Sequence, residues 1–170
     1  MYLSKLLLAF AICLSHTVSQ NNFAVYRDFS FHVEDKSIQV GEFEEHLDLI
    51  NILGKAKYIE DGILGEDADT YAGIYYKNID YEDLRLEFFG GSLVTAIFKS
   101  DKYKSYRGIK VGDSKGKMLL YYPGIINRGN VTDDPNVIVY ELVINNQNYS
   151  LDFNVKNMKI IEIRIDYNYQ

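Results

Sequence analysis

Few side chains in this sequence stand at the spacings that catalysis or metal binding needs. His46 follows Glu42 at the four-residue interval that brings two side chains to one face of a helix, and Glu45 adjoins it. These three side chains could bind a metal ion, but no further ligand stands at a matching spacing elsewhere. Carboxylates at the start of a helix also stabilise its positive end without any metal. We therefore predict that the chain has no metal site and no cofactor.

The acidic stretch that contains Asp67 and Asp69 begins like a calcium-binding loop and then departs from that pattern. The two aspartates supply carboxylates in alternate positions. An EF-hand loop then needs an oxygen ligand, a glycine and a closing glutamate, and the chain has Tyr71, Ala72 and Asn78 at those places. The stretch is predicted to be a solvated acidic loop.

Nucleophilic catalysis and phosphate transfer are not indicated. The chain has no G-x-S-x-G elbow, and its single cysteine, Cys13, lies in an apolar run near the N-terminus. The pair Gly90-Gly91 is not followed by the Lys-Ser/Thr of a phosphate-binding loop, so it indicates a turn. Carboxylates are numerous, but their spacing does not pair them. We predict a protein that is not an enzyme, with a small secreted hydrolase built on carboxylates as an alternative.

The remaining candidates form a surface. In one predicted strand, apolar residues at positions 84, 86 and 88 are expected to face a core, and the residues between them to lie on an open side of the sheet. The same alternation puts Glu141 and Asp152 on the open side. The predicted binding residues are Arg85, Glu87, Phe89, Glu162 and Arg164, with the mid-chain tyrosines Tyr75, Tyr76, Tyr103 and Tyr106. Tyrosine and arginine are enriched in interfaces, although tyrosine is also a common strand residue and such a face can be merely solvated.

Two near-copies of one phrase organise the chain that must position these residues. "SIQVGEF" (37–43) and "GIKVGDS" (108–114) share the pattern Ile-x-Val-Gly. After the first copy, apolar residues recur at spacings of four and three, at Phe43, Leu47, Ile50 and Leu53. This periodicity predicts a helix that ends at Gly54.

The second copy opens a shorter predicted helix. Ser114 is placed as its N-cap, Met118 and Leu119 lie on its buried side, and Pro123 ends it. After each helix comes a strand, over 71–77 and 137–144, and then a hairpin. The hairpin segments 86–101 and 151–166 align without a gap, with turns at 90–92 and 156–157. The predicted fold class is α+β: two tandem helix-plus-antiparallel-hairpin units form one sheet with both helices packed on one face.

The stretch "GIKVGDSKGKMLLYYPG" resembles the helix-opening signature of β-lactamase inhibitor protein-like domains. That signature is an apolar residue, two spaces, glycine, Met or Asp, Ser or Thr, and a short amphipathic helix that ends at glycine. The resemblance covers residues 37–166 and implies a saddle of two tandem units, with helices on the convex side and a broad antiparallel sheet on the concave side. Related single units occur in small outer-membrane assembly lipoproteins. The chain departs from the family in having Glu42-Phe43 in place of a small cap residue, and no counterpart of the disulfide in each unit.

The N-terminus has the layout of a secretory signal peptide. A positive charge precedes the apolar run 6–14, and Thr17 and Ser19 are small residues at the positions that a signal peptidase reads. The apolar run is too short to cross a bilayer as a helix, and Ile12 before Cys13 does not fit a lipoprotein signal. The predicted organisation is a signal peptide 1–19, an N-terminal segment 20–36, and repeat units 37–107 and 108–170 in one compact domain. We predict export to the periplasm or the medium, with no transmembrane segment after cleavage.

The charge balance bears on the class of partner. With 18 Lys and Arg against 24 Asp and Glu, the chain carries a net charge of −6, and −7 once Lys5 leaves with the signal peptide. An acidic protein without a basic run binds nucleic acid and anionic membranes poorly, whereas a basic protein partner suits it. We predict an exported, non-enzymatic protein-binding module, inhibitor-like or envelope-assembly-like as the resemblance implies. The alternative is a small-molecule or lipid carrier with a cavity between helices and sheet.

Overall fold

Antiparallel β-structure dominates the protein, whose computed structural model describes residues 24–143 and 148–168. Three strands, β1 (Ser30–Val33), β2 (Lys36–Gln39) and β7 (Tyr103–Ser105), form a small sheet in the order β2-β1-β7. The large sheet is built from β3 (Tyr58–Ile63), β4 (Tyr75–Asp80), β5 (Leu84–Phe89), β6 (Ser92–Phe98), β8 (Ile126–Gly129), β9 (Val137–Val143), β10 (Tyr149–Lys156) and β11 (Lys159–Tyr167). Their order across the sheet is β3-β4-β5-β6-β11-β10-β9-β8. Two short helices, α1 (Leu49–Leu53) and α2 (Lys115–Tyr121), precede β3 and β8, and 3-10 turns span Tyr26–Phe29, Glu44–His46 and Glu66–Tyr71.

The predicted α+β fold class, with two helix-plus-hairpin units in one sheet, is wrong. Each half of the large sheet is a four-stranded meander, β3 to β6 and β8 to β11, and the two meanders join through β6 and β11. A separate three-stranded sheet and helices of only 5 and 7 residues complete the β-rich fold of the described chain. The alternation of apolar and polar residues did not predict β3 and β8. These edge strands are largely exposed on both sides, so they lack the alternation of a half-buried strand.

The first helix, predicted to begin near Phe43, is much shorter than its apolar periodicity suggests. Glu44–His46 is a 3-10 turn and Leu47 is extended, so that α1 begins only after Asp48. The Asp48 carboxylate accepts a hydrogen bond from the backbone N–H of Asn51 at 3.4 Å and so supplies the helix N-cap. The glycine at position 54 ends the helix as predicted, with a φ of 79°.

The second helix follows its predicted start more closely. Ser114 is the N-cap, because its Oγ accepts a hydrogen bond from the backbone N–H of Lys117 at 3.1 Å. Met118 is fully buried as predicted, whereas Leu119, also expected on the buried side, is 38% exposed. A helix of 7 residues covers the sheet with only one stripe of side chains, and Leu119 lies outside that stripe.

The gap-free alignment of the two hairpins is wrong by two residues. Their turns lie at Gly90-Gly91 and at Asn157-Met158, which are 67 positions apart, where the alignment used 65. A bulge follows each turn at the same distance, at Val94 in β6 and at Ile161 in β11. Because side chains alternate with a period of two, an even slip leaves each one on its predicted face of the sheet.

The core lies between one face of the large sheet and the small sheet with the two helices. Leu84, Leu86 and Phe88 point into it as predicted, with 3%, 0% and 1% of their surface exposed. The small sheet contributes Phe31, whose ring centroid lies 5.6 Å from that of Phe98 on β6. The opposite face of the large sheet, termed the open face, carries the alternate side chains.

A buried ion pair ties the N-terminal segment to the chain that links the two meanders. Arg107 Nε and Nη2 each lie 2.6 Å from a carboxylate oxygen of Asp28, which is fully buried. Arg107 Nη1 also donates to the carbonyl of Tyr121 at 2.9 Å, and its guanidinium lies 4.8 Å from the ring centroid of Tyr122. The Tyr122 hydroxyl donates to Ser105 Oγ at 3.0 Å. Both charges are therefore paired within a continuous polar network.

Some predictions concern parts of the chain outside the described residues. The signal peptide 1–19 and the end of the strand predicted over 137–144 fall there. Within the described part of the chain, no helix has the length and apolar character needed to cross a bilayer.

Candidate functional site

The strand register gathers charged side chains of the open face into rows that cross the large sheet. One row, from β4 to β9, consists of Asp80, Arg85, Ile97, Arg164, Asp152 and Glu141. The adjoining row consists of Asn78, Glu87, Thr95, Asp166 and Ser150. Neighbouring strands lie about 4.8 Å apart, so that each charge interacts with others along and across the strands.

Ion pairs between alternate residues hold the centre of the open face. Arg164 Nε lies 2.6 Å from Asp166 Oδ2, and Arg85 Nε lies 2.7 Å from Glu87 Oε1. Thr95 Oγ1 donates to Asp166 Oδ1 at 2.7 Å, which links β6 of the first meander to β11 of the second. The hydrogen bond from Arg164 to Asp166 is the main cause that raises the pKa of the Arg164 guanidinium.

One oxygen of the Asp152 carboxylate is left without a hydrogen bond. Its Oδ1 is buried and has no hydrogen-bond partner in the described part of the chain. Desolvation, and then the negative charges of Glu141 and Asp166, raise the pKa of Asp152 to about 7, while Arg164 and Arg128 oppose that rise. Near neutral pH this carboxyl group is therefore divided between its neutral and ionised forms.

A groove of about 510 Å³ lies on the open face beside these ion pairs. Tyr71 and Phe89 form part of its wall, with ring centroids 5.4 Å apart in an edge-to-face arrangement. Arg164 and Asp166 supply charged groups to the lining. Aromatic rings beside arginine are typical of protein–protein interfaces.

Six of the nine predicted binding residues share the open face. They are Arg85, Glu87, Phe89, Tyr76, Glu162 and Arg164. Tyr76 pairs with Phe89 and leans over Gly62, where an added Cβ would lie 3.1 Å from the tyrosine ring. Glu162 accepts a hydrogen bond from Asn154 Nδ2 at 2.8 Å and lies 3.2 Å from Lys99 Nζ.

The other three predicted tyrosines lie elsewhere. Tyr75 is on the opposite side of β4, where its hydroxyl donates to Asp61 at 3.2 Å. Tyr103 belongs to the small sheet and is 8% exposed. Tyr106 stacks on His32, with ring centroids 6.0 Å apart. The tyrosines are clustered in sequence but are not one surface, because strand alternation and the crossing to the small sheet separate them.

The predicted binding residues leave out several residues of this site, although the alternation correctly put Asp152 on the open side. Asp152 and Asp166 alternate with the apolar residues of β10 and β11, so that the same pattern could have added them to the predicted binding residues. Tyr71, predicted to begin a strand over 71–77, lies instead in the 3-10 turn Glu66–Tyr71, from which it reaches Phe89, and the strand is Tyr75–Asp80.

The side chains around His46 do not assemble. His46 Nε2 lies 3.6 Å from Glu45 Oε1 at an exposed position. Glu42 Oε2 accepts a hydrogen bond from the backbone N–H of Gln39 at 3.4 Å instead. Among residues 24–143 and 148–168, no three His, Cys, Asp or Glu side chains come together as metal ligands would.

Comparisons with known proteins add nothing to this geometry. No family model, curated protein or solved structure matches the chain. The resemblance to β-lactamase inhibitor protein-like domains therefore stays a prediction, and the function has to be argued from the site.

Proposed function

We propose that this chain is an exported, non-enzymatic binding module that takes a basic segment of a partner protein on its open face. The charge of that face carries the proposal. Its seven carboxylates are Glu60, Asp80, Glu87, Glu141, Asp152, Glu162 and Asp166, with an eighth, Asp134, paired to Lys156; its six basic residues are Arg85, Lys99, Arg128, Lys156, Lys159 and Arg164. A surplus of negative charge on an interface complements Lys and Arg side chains of the partner.

The groove supports a partner segment rather than free cations. The rings of Tyr71 and Phe89 can pack against the aliphatic stems of Lys or Arg. Aromatic faces also attract the charged ends of those side chains. Arg164 and Asp166 in the lining can hydrogen-bond to a partner's backbone, which gives orientation to an otherwise electrostatic attraction.

A carboxylate with a raised pKa is also what a small hydrolase would need, but the geometry favours binding. The Asp152 Oδ1 is buried, and the groove is lined by Arg164 and Asp166 instead. A general acid must come within hydrogen-bond reach of the bond that it protonates. Asp152 therefore suits an electrostatic role beneath the surface better than proton transfer to a substrate in the groove.

Peptides selected on this protein from a random displayed library are expected to be enriched in Lys and Arg. The triple variant Glu87→Gln/Glu141→Gln/Asp152→Asn should bind the selected peptides at least about tenfold more weakly, because it removes three carboxylates from the face. Isothermal titration calorimetry at two salt concentrations measures this loss.

The matched control makes the same change of net charge away from the large sheet. Glu34→Gln/Asp35→Asn/Glu45→Gln replaces three exposed carboxylates of turns outside the large sheet. This control should retain nearly all of the affinity. Selection of neutral or acidic peptides, or an equal loss of affinity in both triple variants, would contradict the proposal.

Affinity for a basic peptide is expected to rise with pH. Asp152, with its pKa near 7, is mostly neutral at pH 6 and mostly ionised at pH 8, and only the ionised form adds to the attraction. The dissociation constant should fall by up to about tenfold over this interval, with uptake of a proton by the buffer as the peptide binds. Asp152→Asn should bind with little change between the two pH values; an unchanged slope in that variant would assign the titration to another group.

A further inference from the structure

A second concave site lies on the core side of the large sheet, away from the open face. It is a cleft of about 620 Å³ between α1 and the strands β3 and β4. Leu47 and Ile50 line it from the side of the helix, and Ile59 and Ile79 from the sheet. Its volume falls within the range of about 300–1,000 Å³ that small-molecule sites occupy.

The two helices fill their parts of the core unequally, and this difference creates the cleft. At α2, Met118 and the following Tyr122 are both fully buried. At α1, only Leu49 is buried, while Ile50 is 78% exposed. Ile59 on the facing strand is 52% exposed. Apolar side chains thus face one another across a space that the chain does not fill.

Four charged side chains also line the cleft: the exposed Asp48 and Lys55, and the less exposed pair Glu44 and Lys77. Lys77 lies on the core side of β4, opposite Phe88, at a position where alternation calls for an apolar residue. Its Nζ forms a short ion pair with Glu44, and the two side chains are 20% and 29% exposed. That hydrogen bond raises the pKa of Lys77, so that the ammonium stays charged. The pair has no net charge but keeps ammonium protons and a carboxylate oxygen for hydrogen bonds to a ligand.

We propose that the cleft binds a single-chain amphiphile with an uncharged, hydrogen-bonding head, such as an alkanol or a monoacylglycerol. The alkyl chain would lie between Ile50, Ile59 and Ile79, and the head hydroxyl at the Glu44–Lys77 pair. A hydroxyl group both donates and accepts hydrogen bonds, so it can accept one from the Lys77 ammonium and donate one to the Glu44 carboxylate. A carboxylate or an ammonium head would instead compete with one member of the pair and leave the other partly buried without a counter-ion.

The test is a titration of the protein with 1-alkanols of about six to twelve carbons, followed by calorimetry and by NMR of the Ile50 and Ile59 signals. Affinity should rise up to about fourfold with each methylene and then level off once the cleft is full. The alkanoate and the alkylammonium of the same length should bind at least about fivefold more weakly.

Two surface substitutions locate the binding without disturbing the core. Ile50→Ser removes an exposed apolar wall of the cleft and should lower the affinity about tenfold. Leu120→Ser is the matched control, since Leu120 is 72% exposed on the other helix, and it should leave the affinity unchanged. The proposal is overturned if binding does not saturate, if the three head groups bind equally, or if both variants lose the same affinity. None of these outcomes bears on peptide binding at the open face, which is measured separately.

Discussion

Replacing Asp152 with asparagine is expected to increase the free energy of unfolding at pH 8 by on the order of 2 kcal/mol. The folded protein raises the pKa of this carboxyl from its usual value to about 7, chiefly by desolvation. The folded state therefore holds the proton more tightly than the unfolded chain, and ionisation costs stability as the pH rises from about 4 to about 7. Asparagine reproduces the neutral form, so the variant should be spared that cost above pH 7 and match the wild type near pH 4.

Urea denaturation from pH 4 to pH 8 measures this effect. Asp35→Asn is the matched control, because it makes the same chemical change in the exposed turn between β1 and β2, and it should alter stability by no more than about 0.5 kcal/mol at any pH. A wild-type profile parallel to that of the Asp152 variant would show that folding leaves the pKa of this carboxyl group unchanged, and a variant that loses stability relative to the wild type as the pH rises would show that the folded state stabilises the ionised form.

A gain in stability on removal of a charged residue is the signature of a group kept for function. Asp152 is surrounded by carboxylates on a face where Arg164 and Arg128 only partly compensate them. A basic partner would supply the missing positive charge, so the same residue that costs stability in the free protein would contribute affinity in the complex. The two pH predictions have opposite signs for that reason: stability falls and affinity rises through pH 7.

Strand alternation was readable from the sequence because it depends only on neighbouring residues. The apolar residues Leu84, Leu86 and Phe88 fixed which side of β5 is buried, and this survived the two-residue error in the hairpin alignment. The bounds of the helices were harder to predict from the sequence. Apolar spacing from Phe43 to Leu53 fits one helical face, yet the chain is helical only after the carboxylate of Asp48 caps it. The start of the helix is therefore set by its N-cap and not by the apolar periodicity.

The candidate site could be predicted only in part, because its chemistry arises from pairing between distant segments. Glu141, Asp152 and Arg164 become neighbours through the order β9-β10-β11, and Thr95 meets Asp166 only because the two meanders join. A single sequence does not show which strands pair or in which register they do so. The environment that raises the pKa of Asp152 is therefore a property of the sheet rather than of any single strand.

The Asp28–Arg107 pair joins the 3-10 turn Tyr26–Phe29, which contacts β10, to the segment between β7 and α2. Arg107 is the last residue of the first predicted repeat unit, and it connects the buried Asp28 to the end of α2 through Tyr121 and Tyr122. Breaking one side of a buried, bidentate ion pair leaves a charge that neither water nor another group can compensate. This pair is thus the point at which a single substitution should do most damage.

Arg107→Met is expected to lower the free energy of unfolding by about 3–5 kcal/mol, because it leaves the Asp28 carboxylate buried without its cation. Adding Asp28→Asn in the same chain should restore about 2 kcal/mol of that loss by removing the unpaired charge. Arg85→Met, which deletes an arginine from a part-exposed ion pair of similar length on the open face, should cost about 1 kcal/mol or less. Urea denaturation of the wild type, the single variants Arg107→Met and Asp28→Asn and the double variant gives the coupling between the two sites, with Arg85→Met as the control. A double variant as unstable as the sum of its single changes would mean that Asp28 and Arg107 act independently, and that the loss in Arg107→Met comes from packing of the arginine stem, not from its charge.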